Sequence, residues 1–294
     1  MRQEFRERII SHVLFFPAIF SGALLVLMTI TLFVKSEQIL STKPIPDLLF
    51  SSSWQPVAGN FGYYPFIMGT LWVTVLAMII SIPVSLLSAL YLSEYAHIRV
   101  RDAIQPVIDL LAGIPSVIYG LFGILFLVPV IKNNIAPAFG VTTSGYCVLT
   151  GGLVLAIMVF PILISLSFEV LRTVPLEMRE ASLGLGATRW ETAKFVVLKK
   201  AFPGVIAAII LGFSRAFGET MAVLMVVGNV ARVPASVFDP AYPIPALIAN
   251  NYGEMMSIPL YDSALMFAAL LLLVLVVIFN ISAKFALMKI QAVK

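Results

Sequence analysis

The stretch that decides the fold is EVLRTVPLEMREASLGLGATRWETAKFVVLKKAFP, residues 169–203. It has helical grammar. Pro175 suits the first turn of a helix, where a missing N–H leaves no partner unbonded. Leu176, Met178, Ala181 and Leu183 supply an apolar side. Gly184 and Gly186 suit a left-handed end to that helix. Thr188-Arg189-Trp190-Glu191 then reads as a capping box, in which the Thr hydroxyl and Glu carboxylate satisfy the free donors of a new helix. The spacing predicts helix, glycine turn, helix. The segment is too long for a simple turn between helices. It reads as a two-helix projection that docks onto something; the bland alternative is a solvated loop.

Working outward, the loop is flanked by apolar runs. Of 294 residues, 60% are hydrophobic and only 12% charged, with a mean hydropathy of +1.02. A soluble domain has about 25% charged residues and could not hide this much apolar surface. These figures exclude a soluble enzyme and a nucleic-acid-binding domain, despite the +4 balance of 19 basic and 15 acidic residues. The single cysteine, Cys147, excludes an internal disulfide and a cysteine-rich metal site; it reads as a small apolar residue. His12 reads as an interfacial or packed side chain rather than a ligand.

A spanning helix needs about 20 apolar residues. Six runs qualify: 9–34, 65 or 66 to 92, 106–131, 146–168, 204–230 and 263–283. The first is longer than a signal-peptide core and has no clear cleavage pattern, so it reads as a retained anchor. Six spans place both termini on one side. With that side cytoplasmic, 14 basic residues lie inside: Arg2, Arg6, Arg8, Arg99, Arg101, Arg172, Arg179, Arg189, Lys194, Lys199, Lys200, Lys284, Lys289 and Lys294. Lys35, Lys43, Lys132 and Arg232 lie outside. The asymmetry predicts an N-in, C-in topology. The outer loops, 35–64 and 231–262, are rich in Pro, Ser, Gly and aromatics, and 246–256 reads as a short helix lying on the interface. One transmembrane domain over 1–294 is the simplest division.

The remaining basic residue, Arg215, falls inside the fifth span. Counted from Gly204, it lies roughly 16 Å deep, close to mid-bilayer. Gly212, Arg215, Glu219 and Ala222 follow helical spacing and share one face. A charge at that depth costs about 2.5–3.5 kcal/mol and marks a bundle interior or an aqueous path. A self-neutralising pair at i, i+4 is the structural alternative, although Arg before Glu is the weaker order. The guanidinium fork suits a tetrahedral oxyanion. Phosphate near neutral pH still carries a proton and can donate a hydrogen bond to a carboxylate, whereas sulfate cannot. Glu219 would then select protonated phosphate and neutralise Arg215 when the site is empty. Pro115 removes one hydrogen bond from the third span and is expected to kink it, which could serve gating or reflect close packing among Gly113, Ser116 and Gly120. Asp109 reads as a cap or loop partner, and Met221 and Met225 as packing residues.

Glu180-Ala181-Ser182, Gly186 four residues on, and Val196-Val197-Leu198 resemble the EAA loop of ABC-transporter permeases. That pattern is Glu-Ala-Ala, three residues, Gly, nine residues, then Ile-x-Leu-Pro. Ser182 replaces the second Ala. Lys199 stands where the family has Pro, and Pro203 is expected to take over the break. Residues 212–223, GFSRAFGETMAV, are similar to the Arg-Ala-x-Gly-Glu-Thr-Met-Ala-Val segment of phosphate-specific ABC permeases, with Asn229 following as it does there. Residues 111–120, LAGIPSVIYG, resemble that family's Ala-x-Ile-Pro-Ser-x-x-x-Gly segment. Phe50, Trp54, Pro56 and Gly62 resemble the first outer loop of its PstC-type subunit. The likeness runs from about residue 45 to 290, and 215–223 is its most specific part.

The resemblance implies an all-α integral membrane protein with the type I ABC importer permease fold. It implies a subunit moving inorganic phosphate across the cytoplasmic (inner) membrane. Glu180, Ala181 and Gly186 would couple to a cytoplasmic ABC ATPase dimer, and Arg215 and Glu219 would line the phosphate path. A second, related permease and an extracytoplasmic phosphate-binding protein are the further partners. No Gly-Lys pair occurs, hence no P-loop, so ATP and Mg are expected on a separate subunit, with no enzyme activity, metal or cofactor in this chain. The alternatives are an importer for another oxyanion (phosphonate, molybdate or sulfate), an ion-coupled secondary transporter, or a membrane scaffold or sensor.

Overall fold

The computed structural model describes residues 2–254 and 258–292, with the side chains of 2–12, 18 and 290–292 outside the described set. The side chains of Arg2, Arg6, Arg8 and His12, and the whole of Lys294, therefore lie outside the described residues. Six helices are long and apolar enough to cross a membrane: Val13–Lys35, Tyr64–Glu94, Ser116–Ala138, Val148–Arg172, Arg189–Phe217 and Pro259–Lys289, here spans 1 to 6. Each contains an 18-residue window with no more than two charged residues.

Span 4 is the centre of the bundle. It packs against spans 2 and 5 and against a separate helix, Ile98–Ala112. Lipid offers no hydrophobic drive between helices, so small residues and polar contacts bring them together. Ser81 and Ser85 of span 2 reach the carbonyls of Ala156 and Phe160 of span 4 at 3.4 Å. Gly212 of span 5 lies so close to span 4 that an added Cβ would sit 2.6 Å from Leu163 Cδ2. Val73, Met78, Leu155, Val159, Leu163 and Val226 fill the space between. Span 1 lies outside this core, against span 6, and its described side chains are nearly all exposed. That is the pattern of a helix facing lipid.

Three sequence expectations are corrected. The third span does not run over 106–131. The helix Ile98–Ala112 ends at Gly113, Pro115 is extended (φ −58°, ψ 138°), and span 3 starts at Ser116 and continues to Ala138. The cause is steric, since a residue before proline is pushed out of the helical region. Pro115 therefore stands between two helices and does not kink one. The fifth span starts earlier and ends earlier than 204–230. It begins at the Thr188 capping box, runs through π-helical turns at Thr192–Val197, and stops at Phe217. Neither Lys199 nor Pro203 breaks it; Pro203 sits inside Leu198–Phe217. Finally, the helix near 246–256 is Ile244–Asn251, and Ile244, Pro245, Ala246 and Leu247 are buried by protein instead of lying on an interface; Met255 and Met256 fall outside the described residues.

The end of the bundle opposite the 173–188 loop is capped by 36–63 and 225–254. Strands Trp54–Gln55 and Asn60–Phe61 pair antiparallel about a turn at Pro56–Ala58. Trp54 packs edge-on against Phe61, Tyr63 and Phe66 at 5.4, 5.5 and 4.8 Å between ring centres. The Tyr63 hydroxyl donates to the Ala264 carbonyl at 2.7 Å. Burial pushes its pKa far up, so it stays a neutral donor. This pins the cap to span 6.

Candidate transport site and coupling loop

Span packing fixes the depth of Arg215. Gly212 touches Leu163, and Gly204, lower on the same helix, touches Val170. Spans 4 and 5 are thus antiparallel in register. Arg215, one turn beyond Gly212, lies level with about Phe160, the middle of Val148–Arg172.

The helical face expected for Arg215 and Glu219 is not formed. Span 5 ends at Phe217 with Gly218 as its cap, and a new short helix, Met221–Leu224, follows. Glu219 lies in the break. Its Oε1 accepts the Ala222 backbone N–H at 3.2 Å, which starts the new helix. Arg215 is exposed and makes no hydrogen bond or ion pair among the described residues. The self-neutralising Arg215–Glu219 pair is therefore not formed. Glu219 instead borders a cavity of about 10 Å³ together with Thr70, Thr74, Phe217 and Pro243. Non-helical backbone at this depth is tolerated only where protein buries it or water reaches it, and an exposed guanidinium cannot favourably face lipid.

A second break lies beside the first. Tyr119, three residues into span 3, donates its hydroxyl to the Leu111 carbonyl at 2.7 Å, across the Gly113–Pro115 interruption. The two interruptions are neighbours, because span 3 packs on the short helix Met221–Leu224 that follows the second one. Pro115 is brought to this region by the packing of Gly120 on Ala222 and Met225. Asp109, inside the helix Ile98–Ala112, accepts a long bond, 3.5 Å, from Ser165 of span 4, so its side chain joins two helices and not a loop.

The 173–188 loop follows its sequence grammar closely. Leu176–Gly184 is helical with Pro175 at its N-cap. Gly186 has φ +90°, and the Gly186 N–H bonds to the Leu183 carbonyl at 3.0 Å. The capping box is complete: Glu191 N–H bonds Thr188 Oγ1 at 3.2 Å, and Thr188 N–H bonds Glu191 Oε2 at 2.8 Å. Glu180, Ala181 and Gly186 are all exposed, as are Leu176, Leu183, Leu185 and Trp190. An exposed surface, apolar and partly acidic, results, and Leu176, Glu180 and Leu183 border a cleft beside Glu94 and His97.

Three residues escaped the sequence reading. Ser182, the departure from the EAA pattern, hydrogen-bonds Thr192 at 2.9 Å and joins the loop helix to span 5. Arg179, read only as a topological charge, forms a two-pronged pair with Glu94. Tyr119 stood inside a quoted motif without a role. A polar residue one position from a motif letter was the available signal in the first two cases.

Residues 81–286 match the family described as binding-protein-dependent transport system inner membrane component. The chain is 38% identical over 259 residues to the probable ABC transporter permease protein YqgH of Bacillus subtilis, covering 86% of this chain and 82% of that one. It is 34% identical over 306 residues to the phosphate transport system permease protein PstC of Mesorhizobium japonicum, covering 98% and 93%. Among solved structures, an inward-facing conformation of the MetNI methionine ABC transporter aligns with a TM-score of 0.57 at 15% identity, over 81% of this chain and 99% of that one. That likeness shows the fold.

Proposed function

The chain belongs to the family of binding-protein-dependent transport system inner membrane components, and from that premise we propose that it is a permease subunit of an ATP-driven importer that brings inorganic phosphate into the cell. A relative named as a phosphate permease aligns over nearly the whole length, and the observation that carries the site is Arg215, an exposed guanidinium level with the middle of span 4 and in the last turn before the break at Gly218, with no hydrogen bond or ion pair among the described residues.

Arg215 presents a planar set of N–H donors that matches two phosphate oxygens and stays charged throughout. It sits in the last helical turn before Gly218, where backbone carbonyls favour a cation. An arriving anion replaces water around the guanidinium. Glu219 keeps one oxygen on the Ala222 N–H, which leaves the other to accept the proton that phosphate retains. A fully ionised oxyanion would meet only repulsion there. A second permease encloses the path, and an extracytoplasmic binding protein delivers the anion.

A permease of this family carries no ATPase site of its own, so ATP and Mg are held by a separate ATPase dimer. Glu180, Ala181 and Gly186 form its docking face, with Leu185 and Trp190 as apolar contacts. This places the loop, and with it both termini, in the cytoplasm, as the 14 to 4 distribution of basic residues favours. Pro115 and Gly218 mark the points where spans 3 and 5 can change angle during gating.

The test is uptake by the whole importer in proteoliposomes. Arg215→Ala should lower phosphate uptake about ten- to hundred-fold, the loss of one or two charged hydrogen bonds, while the ATPase still co-purifies. Uptake unchanged in Arg215→Ala would remove Arg215 from the path. Glu219→Gln should raise sulfate competition against phosphate; an unaltered ratio sinks the selection role.

A further inference from the structure

We infer that the Arg179–Glu94 pair is the joint through which movement of the 173–188 loop reaches the spans, with Arg179 as its positioning residue. The inference rests on the coupling reading above and names the part that transmits the force.

The loop helix Leu176–Gly184 has no buried residue. Its position against the bundle is fixed by polar ties. Arg179 Nε donates to Glu94 Oε2 at 3.1 Å and Nη2 donates to Glu94 Oε1 at 3.0 Å. Nη2 also donates to the Leu171 carbonyl at 2.9 Å, and Nη1 to the Val174 carbonyl. Glu94 is the last residue of span 2, and Leu171 is in the last turn of span 4. One guanidinium thus ties the loop helix to two spans at once. Ser93 Oγ steadies the carboxylate at 2.7 Å.

The pair is shielded, with side chains only 16% and 9% exposed. By contrast, Arg101–Asp102 makes one contact at 3.4 Å, with exposures of 25% and 64%. Exposed pairs of that kind contribute little, whereas a shielded two-pronged pair fixes orientation. Removing one partner leaves a buried charge alone, which is costly. Lysine could not substitute, because a single ammonium cannot span a carboxylate and two carbonyls in one plane. The loop helix has one further tie, Ser182 to Thr192 at the start of span 5. Between these ties Glu180 and Ala181 face outward. A push on that face is therefore delivered to spans 2 and 4 through Arg179 and to span 5 through Ser182. An open cleft of about 870 Å³ lies beside the pair, bordered by His97, Arg172 and Leu183.

The experiment uses the complete importer with nitroxide labels at Leu183 on the loop helix and Tyr91 on span 2. Native Cys147 is buried and stays in place. In the otherwise wild-type complex the Leu183–Tyr91 distance should be the same without nucleotide and after trapping with ATP and vanadate. In Glu94→Ala, and in Arg179→Lys, the distance should change between the two states. Phosphate moved per ATP hydrolysed should fall at least about five-fold in both variants, the loss expected for one oriented charged hydrogen bond. A distance that changes in the wild type as much as in the variants overturns the joint, as does an unchanged ratio of uptake to hydrolysis. A wild-type complex that hydrolyses ATP without moving phosphate overturns the substrate reading instead, and the distance measurement still decides the joint.

Discussion

Ser214 Oγ lies 2.7 Å from Asn280 Oδ1, so that one hydroxyl, shared with the Ile210 carbonyl at 2.9 Å, joins span 5 to span 6 one residue before Arg215. Asn280 is itself oriented by donating to the Val276 carbonyl at 2.9 Å. The contact sets the rotation of the helix end that carries the guanidinium. Hydrogen bonds between membrane helices contribute about 0.6 kcal/mol on average. Ser214→Ala should therefore lower stability by about that amount, seen as a small drop in the melting temperature of the purified complex. Uptake should fall far less than in Arg215→Ala. An equal fall would mean that the hydroxyl itself meets the anion.

The glycine turn of the loop offers a cleaner test of coupling. Gly186 has φ +90°, and nothing lies within 4 Å of an added Cβ. Substitution therefore strains only the backbone, by about 1–2 kcal/mol for an ordinary residue. Gly186→Ala should weaken co-purification of the ATPase and reduce uptake, with the amount of permease in the membrane unchanged. Gly186→Asn, which tolerates the left-handed region better, should retain more of both. Equal behaviour of the two variants would separate the turn from coupling.

Packing predicts a contrast between two glycines. Gly212→Ala places a methyl 2.6 Å from Leu163 Cδ2 and 3.4 Å from Met78 Cε. Overpacking of this kind costs about 1–3 kcal/mol. Gly22→Ala on the exposed first span meets nothing within 4 Å and should be neutral. Thermal unfolding in detergent should rank the wild type and Gly22→Ala together, above Gly212→Ala.

The break ahead of span 3 is bridged by Tyr119. Tyr119→Phe removes the donor to the Leu111 carbonyl, a loss of about 1 kcal/mol. Hydrogen exchange of the amides at 113, 114 and 116 should quicken about five-fold, while distant spans keep wild-type rates. Unaltered exchange at the break would show that packing, not the hydroxyl, holds it.

Much of this architecture is local and was legible in the sequence. Uncharged runs announced six spans because burying a charge in lipid is costly over any sequence. The Thr188–Glu191 box and the turn at Gly186 were readable because each is decided within four residues. The break at Gly218 was not legible. Arg215, Glu219 and Ala222 keep helical spacing, and only the Glu219 side chain taking over the Ala222 N–H reveals that the helix has stopped. The early start of span 5 was missed because Lys194, Lys199 and Lys200 interrupt the apolar run without interrupting the helix.

The sequence by itself determined that the chain lives in a membrane, which residues can cross it, and that one arginine stands where charge is least welcome. Tertiary structure alone decided where that arginine stands among the spans. The level of Arg215 against Phe160, the packing of Gly120 on Ala222, and the grip of Arg179 on Glu94 all join residues far apart in the chain. Arg179 and Glu94 are separated by 85 positions. Spacing along a helix specifies which side a residue takes; it cannot specify which neighbour fills that side, because the neighbour is chosen by the packing of every span at once.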